Sequence, residues 1–137
     1  MPFGGNDWLA LTPEPTVEPE IPICDPHHHF WDFRPQSIPY QRYLLHELAA
    51  DINSGHNVRS TVFVEARAMY RTEGPEEMRP VGEVEFVQGL AAASNSGVYG
   101  PSRAAAAIVG HADLKLGAKV QAVLEELQAA GPNRFKG

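Results

Sequence analysis

Short apolar segments alternate with amphipathic segments along most of the chain. Runs rich in β-branched residues predict buried strands, and apolar residues that recur every three or four positions predict helices. The predicted strands are residues 21–24, 58–66 and 105–111, and the predicted helices are residues 43–52, 80 to about 93, and 116–130. This β-α-β-α-β-α order predicts parallel strands joined by helical crossovers, in a doubly wound sheet or in part of a (β/α)8 barrel.

Glycine and proline mark several of the predicted element ends. Gly55 follows the first helix, Pro80 falls in the first turn of the second, and Gly131 and Pro132 follow the third. These are the positions that such residues favour at helix ends. Neither GxGxxG nor GxxxxGK[ST] follows the first strand, so the usual signature of a nucleotide-binding loop is missing.

The first 20 residues differ in composition from the rest. Four prolines and three glutamates interrupt this segment, which is therefore not expected to form regular structure. Trp8 and Leu9 are expected to anchor it on an apolar surface. We therefore predict an N-terminal extension over residues 1–20 and one folded domain over residues 21–137.

Composition and charge indicate the partners and the cellular location of the protein more than they indicate its function. The chain has 137 residues, the length of one domain, and a net charge of -6 without a basic run, which disfavours nucleic-acid and anionic-membrane partners. Cys24 is the single cysteine, so no intrachain disulfide is possible, and we expect it to be a small buried residue. With no signal peptide and no apolar run of ~20 residues, a soluble cytoplasmic protein is expected.

Ionisable side chains follow each predicted strand. Asp25, His27 and His29 follow the first, Glu65 ends the second, and His111 ends the third. Chemistry in parallel α/β folds collects at these carboxyl ends. If the first strand continues, Asp25, His27 and His29 share one face, and two imidazoles aimed at one point make half of a metal site.

Structural roles remain open for all of these residues. The two imidazoles on one face are compatible with surface or hydrogen-bonded core histidines, and Glu65 with an ion pair to Arg67 or Arg71. The loop at residues 67–79 is either a solvated charged loop or a rim that binds an anionic substrate through Arg67 and Tyr70. Expected structural residues are His28 (packed against a helix), Asp113 (a cap), and His46 and His56 (solvated).

The segment Asp25-Pro26-His27-His28-His29-Phe30-Trp31-Asp32 resembles the opening motif of the amidohydrolase superfamily. The Trp-Asp pair resembles the amidohydrolase-2 branch, which includes sugar lactonases and pyrone-dicarboxylate lactonases. The similarity continues through residues 63–66 and 108–114, and residues 134–137 resemble the start of the fourth strand in that branch. The resemblance covers about residues 21 to 137.

The resemblance implies a (β/α)8 TIM barrel, which typically needs ~250 residues, so this chain would be its N-terminal portion of about three β/α units. It implies that His27 and His29 are metal ligands, with zinc favoured, or substrate contacts in relatives that use no metal. Asp25 would support them, and Glu65 and His111 would be catalytic. The remaining site residues would come from later strands.

The expected chemistry is therefore water attack on a lactone-like or ester-like carbonyl of a small-molecule substrate. We expect this chain alone to be inactive and to bind zinc weakly. Two alternatives are an aromatic-acid decarboxylase of the same branch and a small non-catalytic α/β domain that binds a ligand. In the second case the N-terminal extension or a second copy would have to cover the open sheet edge. The sequence leaves the oligomeric state open.

Overall fold

The computed structural model describes residues 6–33 and 40–137. Three strands in this part of the chain form a parallel sheet in the order β1-β2-β3. The strands are β1 (Pro22–His28), β2 (Asn57–Val64) and β3 (Arg103–Val109). The helices are α1 (Asn6–Leu9), α2 (Leu45–Ile52), α3 (Val81–Asn95) and α4 (Val120–Ala130), with 3-10 turns at Glu76–Met78 and Leu114–Lys119.

The predicted α/β alternation is confirmed from β1 to α4. Several element ends differ from the prediction, since β1 continues to His28 and the strands β2 and β3 end two residues early, at Val64 and Val109. The last helix begins at Val120 instead of residue 116, because Gly117 has a left-handed φ of 60° that no α-helix accommodates. The N-terminal extension contains the four-residue helix α1, although no regular structure was expected there.

Residues 134–137 lie beside β3 in the position of a fourth strand. The backbone N–H of Ile108 donates to the Arg134 carbonyl at 2.8 Å, and the Lys136 N–H donates to the Ile108 carbonyl at 2.9 Å. The Gly110 N–H donates to the Gly137 carbonyl at 2.7 Å, and Ile108 and Phe135 form a parallel bridge. The β3 edge is thus covered by these residues and not by the N-terminal extension.

One face of the sheet carries the hydrophobic core. Phe63 and Ile108 point from the strands into this core, where Val84, Val87 and Leu127 of α3 and α4 are also fully buried. Gly110 belongs to the same face, since a Cβ on it would lie 3.0 Å from the Phe135 ring and 3.2 Å from Val84. Tight packing of helices against this face therefore fixes the sheet.

The opposite face of the sheet, formed by Val62, Val64, Ala107 and Val109, is the open face. These residues alternate with core residues along β2 and β3, are only half-buried, and do not belong to the core cluster. No described helix builds a core on this side. Because parallel strands are normally buried on both faces, an apolar open face is unusual for such a sheet.

Two predictions about apolar residues near the N-terminus are wrong. Trp8 and Leu9 do not anchor the extension, since they are 62% and 60% exposed. Cys24 is exposed and not buried, because it lies on the edge strand β1, where it pairs with Ser60 in the strand register. No helix in the described ranges combines the length and apolar character needed to cross a membrane.

Candidate functional site

The two histidines at the end of β1 face each other through their Nε2 atoms. His27 Nε2 lies 3.3 Å from His29 Nε2, with the rings edge to face at a centroid distance of 4.9 Å. On its other side, His29 donates from Nδ1 to the Val64 carbonyl of β2 at 2.8 Å. The structure thus brings together the pair that the sequence placed on one face.

The hydrogen bond to Val64 fixes the tautomer of His29. A carbonyl oxygen only accepts, so Nδ1 carries the proton and Nε2 keeps its lone pair. Metal-bound histidines are usually oriented by this kind of bond from the second ring nitrogen. Two nitrogens bound at ~2.05 Å to one tetrahedral zinc lie about 3.3 Å apart, so the pair fits adjacent positions on such an ion.

Asp25 acts on the backbone of this segment. Its Oδ1 accepts the backbone N–H of His27 at 3.1 Å. The β1–β2 register is irregular between Asp25 and His28, so strict two-residue alternation does not extend from Asp25 to His27. Asp25 thus braces the chain and is not a third group beside the imidazoles, and its supporting role at a metal site stays a prediction.

His28 is buried on the core side, as its opposite face predicted. It shares a hydrogen bond of 2.7 Å with Thr61 Oγ1 and makes edge contacts with the rings of Phe30 and Phe63. Burial lowers the pKa of His28 to about 4, so it is neutral at pH 7. These partners come from β2 and the end of β1 and not from a helix, which makes His28 a core residue.

A pocket of about 750 Å³ lies at the carboxyl ends of β2 and β3. Three predicted site residues, Arg67, Tyr70 and His111, meet in its wall. The wall also carries three carboxylates and two further basic side chains, namely Glu76, Glu77, Asp113, Arg79 and Lys115. Charge alone therefore does not select an anion, and selectivity would depend on particular donors.

Tyr70 lines this wall, and its hydroxyl group is buried. Burial, together with the charges of Glu83 and Glu65, raises the pKa of Tyr70 to about 12, although Arg67 opposes the shift. Its hydroxyl is buried and has no hydrogen-bond partner among the residues that the structure describes. The hydroxyl thus stays protonated at pH 7, and it is enclosed by the protein instead of facing the pocket space.

Glu65 occupies a different environment from the histidine pair. Its backbone N–H donates to the Val109 carbonyl at 2.9 Å, which continues the pairing of β2 with β3. Because side chains two residues apart on a strand point the same way, Glu65 lies on the same face of the sheet as the core residues Thr61 and Phe63. Its Oε2 is buried without a hydrogen-bond partner in the described part of the chain. The structure does not bring Glu65 into the pocket wall, and its catalytic role stays a prediction.

The expected ion pair between Glu65 and an arginine does not form within residues 6–33 and 40–137. Arg71 pairs instead with Glu85 and, at 3.6 Å, with Glu126. Asp113 caps the turn after β3, as expected, since its Oδ1 accepts the Lys115 N–H at 3.0 Å. The described residues contain no group of three or more His, Cys, Asp or Glu side chains suited to one metal ion.

Glu83 is the residue beside this pocket that the sequence interpretation missed. It lies in the first turn of α3 and is 1% exposed, and its Oε1 accepts two backbone N–H groups of the loop after β2. The sequence carries one signal for it, a carboxylate between glycine and valine in the first turn of the helix, where its neighbours along the chain are apolar. Its partners are backbone groups, which no residue pattern reveals.

Comparisons with protein-family models, with curated proteins and with solved structures give no significant match to this chain.

Proposed function

We propose that this chain is the N-terminal portion of a hydrolase of the amidohydrolase-2 type, in which His27 and His29 form part of a divalent-metal site. The observation that carries the proposal is the approach of the two Nε2 atoms to 3.3 Å, a hydrogen bond in which the His29 lone pair is the acceptor, with the His29 ring oriented by the Val64 carbonyl. Zinc is the favoured ion, because imidazole nitrogen is among its usual protein ligands.

The sheet supports a barrel as the setting of this site. Three parallel strands follow one another in sequence order, and residues 134–137 occupy the next position beside β3. Helices cover one face, while the apolar open face would form the packed interior of a (β/α)8 barrel. Further strands would then supply the additional metal ligands and cover this face.

A divalent metal bound by His27 and His29 would supply Lewis-acid activation of water for attack on a lactone or ester carbonyl. In this proposal the pocket binds the substrate, although neither His27 nor His29 is among its lining residues. The Arg67 guanidinium binds a substrate carboxylate or carbonyl, and Tyr70 lines the same wall with its hydroxyl buried. His111, in the same wall, would accept or return a proton in this proposal.

Zinc titration of the 137-residue chain, followed by NMR of the histidine rings, tests the proposal. Zinc should shift the signals of His27 and His29 with a dissociation constant weaker than about 1 μM, because two ligands give far less affinity than a four-ligand site. The chain should not hydrolyse lactones. His27→Ala should abolish the shift at His29, and His56→Ala, at an exposed turn, should leave both shifts intact.

Two results would contradict the proposal. If His27→Ala bound zinc as the unmodified chain does, the histidine pair would not be the site. If the 137-residue chain bound zinc with a dissociation constant below about 1 μM and also hydrolysed lactones, the site would not need ligands from further strands.

A further inference from the structure

The loop that joins β2 to α3 has an unusual backbone. Arg67 and Met69 both adopt left-handed conformations, with φ of 57° and 56°. Residues with a side chain rarely populate this region, and two such residues in a short loop must be held there by their surroundings. The same loop carries Arg67 and Tyr70 into the pocket wall.

Glu83 holds this loop through its backbone. Its Oε1 accepts the N–H of Ala66 at 2.9 Å and the N–H of Ala68 at 2.7 Å. These two N–H groups belong to the residues before and after Arg67, so a single carboxylate oxygen fixes the backbone on both sides of the left-handed residue. Charge-assisted bonds in a buried place are stronger than ordinary backbone bonds, and Glu83 is 1% exposed.

The neighbouring residue of α3 allows the loop to approach. A Cβ on Gly82 would lie 2.6 Å from the Met69 carbonyl oxygen and 2.7 Å from the Arg71 nitrogen. The Arg71 N–H in turn donates to the Arg79 carbonyl at 2.9 Å, just before the helix begins. The loop therefore rests directly on the first turn of α3, with Glu83 reaching into it.

We infer that Glu83 is a positioning residue, which holds residues 66–68 in the backbone conformation that presents Arg67 and Tyr70 to the pocket. The inference rests on the proposed function for the statement that these two side chains bind substrate. The geometry of the loop itself is independent of that function. Glu83 is not among the residues that line the pocket, and it would act on substrate binding by holding the loop.

An ordinary buried carboxylate that stabilises the whole domain would behave differently. Removing such a group would weaken protection against hydrogen exchange throughout the core. Removing a positioning residue would weaken it first at the two amides that Glu83 accepts. Amide exchange measured residue by residue separates these cases, because local openings are resolved from global unfolding.

The experiment compares amide hydrogen exchange by NMR in the unmodified 137-residue chain and in Glu83→Ala, Glu83→Gln and Glu85→Ala. In Glu83→Ala, protection at Ala66 and Ala68 should fall at least about tenfold more than at the core amides of Phe63 and Ile108. The amide shifts of Arg67 and Tyr70 should move as well. Glu83→Gln keeps a carbonyl oxygen that can accept and should restore part of the protection.

Glu85→Ala is the matched control, since Glu85 lies two residues further along the same helix and pairs only with the Arg71 side chain among its described contacts. It should leave Ala66 and Ala68 protected. Equal losses at loop and core amides in Glu83→Ala would overturn the inference, as would unchanged protection. If Glu83→Ala does not fold, Glu83→Gln decides, because its weaker neutral acceptor should lower protection at the same two amides alone.

This result is separable from the zinc titration. Loss of zinc binding to His27 and His29 would remove the proposed function and leave the exchange data untouched. Unselective exchange in the Glu83 variants would remove the positioning role and leave the metal proposal in place.

Discussion

At the scale of the residue, three consecutive histidines have three different environments. His27 is braced by Asp25 through its backbone N–H, His28 is buried against Thr61, and His29 donates to Val64. His27 and His29 also contact each other through their Nε2 atoms, whereas His28 contacts the rings of the core. The pair that faces outward is therefore separated chemically from the neutral histidine between them.

Thr61 joins β1, β2 and β3 in the core. Its Oγ1 is hydrogen-bonded to the His28 ring and also accepts the backbone N–H of Ala105. Ala105 is buried and has a left-handed φ of 49°. Thr61→Val keeps the shape but leaves that buried N–H without an acceptor, so it should lower the free energy of unfolding by about 1–3 kcal/mol. Urea unfolding followed by circular dichroism measures this change.

Thr61→Ser is the matched control, because it keeps the hydroxyl and loses only a methyl group. It should cost less than Thr61→Val, about 1 kcal/mol. A valine variant as stable as the unmodified chain would show that the Ala105 N–H has another acceptor.

Individual residues also show where sequence reasoning succeeds. The two-residue period of a strand correctly separates His27 and His29 from His28. It fails at Asp25, because the irregular register near the strand end breaks the period. It also fails for Glu83, whose partners are the N–H groups of Ala66 and Ala68 in a loop whose conformation only the folded chain defines.

At the scale of the element, α3 depends on two glycines in opposite ways. Gly82 is in close contact with the backbone of the preceding loop, whereas Gly89 is exposed with no neighbour within 4 Å of an added Cβ. Gly82→Ala should lower the free energy of unfolding by about 1–3 kcal/mol, since the loop backbone must move to make room for the added methyl group. Thermal or urea unfolding of the purified variant gives the value.

Gly89→Ala supplies the control on the same helix. It should raise the free energy of unfolding by up to about 1 kcal/mol, because alanine is the better helix former and nothing obstructs it. If both substitutions stabilised the chain, the close approach of the loop to the first turn of α3 would be wrong.

The order and type of the main elements were predictable, because the period of the hydrophobic residues differs between strands and helices. The residues at which the elements begin and end were less predictable. Gly117 falls within an apolar helical pattern, and only its left-handed backbone reveals that α4 starts at Val120. The pairing of residues 134–137 with β3 was expected from a resemblance in sequence, and no pattern of periodicity indicated it.

At the scale of the whole molecule, the two faces of the sheet differ in what covers them. Val84 of α3 packs against the covered face and is 1% exposed, while Val62 of β2 is half-buried on the open face. Val84→Ala should cost about 2 kcal/mol or more in the free energy of unfolding, and Val62→Ala less than about 1 kcal/mol. Chemical denaturation at several protein concentrations measures both.

The concentration series decides how the open face behaves in solution. Equal costs for the two alanine substitutions, or a stability that rises with protein concentration, would show that the open face is covered by another copy of the chain. The difference in cost expected for the single chain would agree with a barrel interior that further strands would fill.

The most direct measurement is anomalous diffraction at the zinc edge from crystals of the chain soaked in zinc. We expect one anomalous peak between His27 and His29, at ~2.0–2.1 Å from both Nε2 atoms, with the His29 Nδ1 still hydrogen-bonded to the Val64 carbonyl. A zinc ion bound through Nδ1 of His29, or bound elsewhere while the histidine pair stays empty, would contradict it.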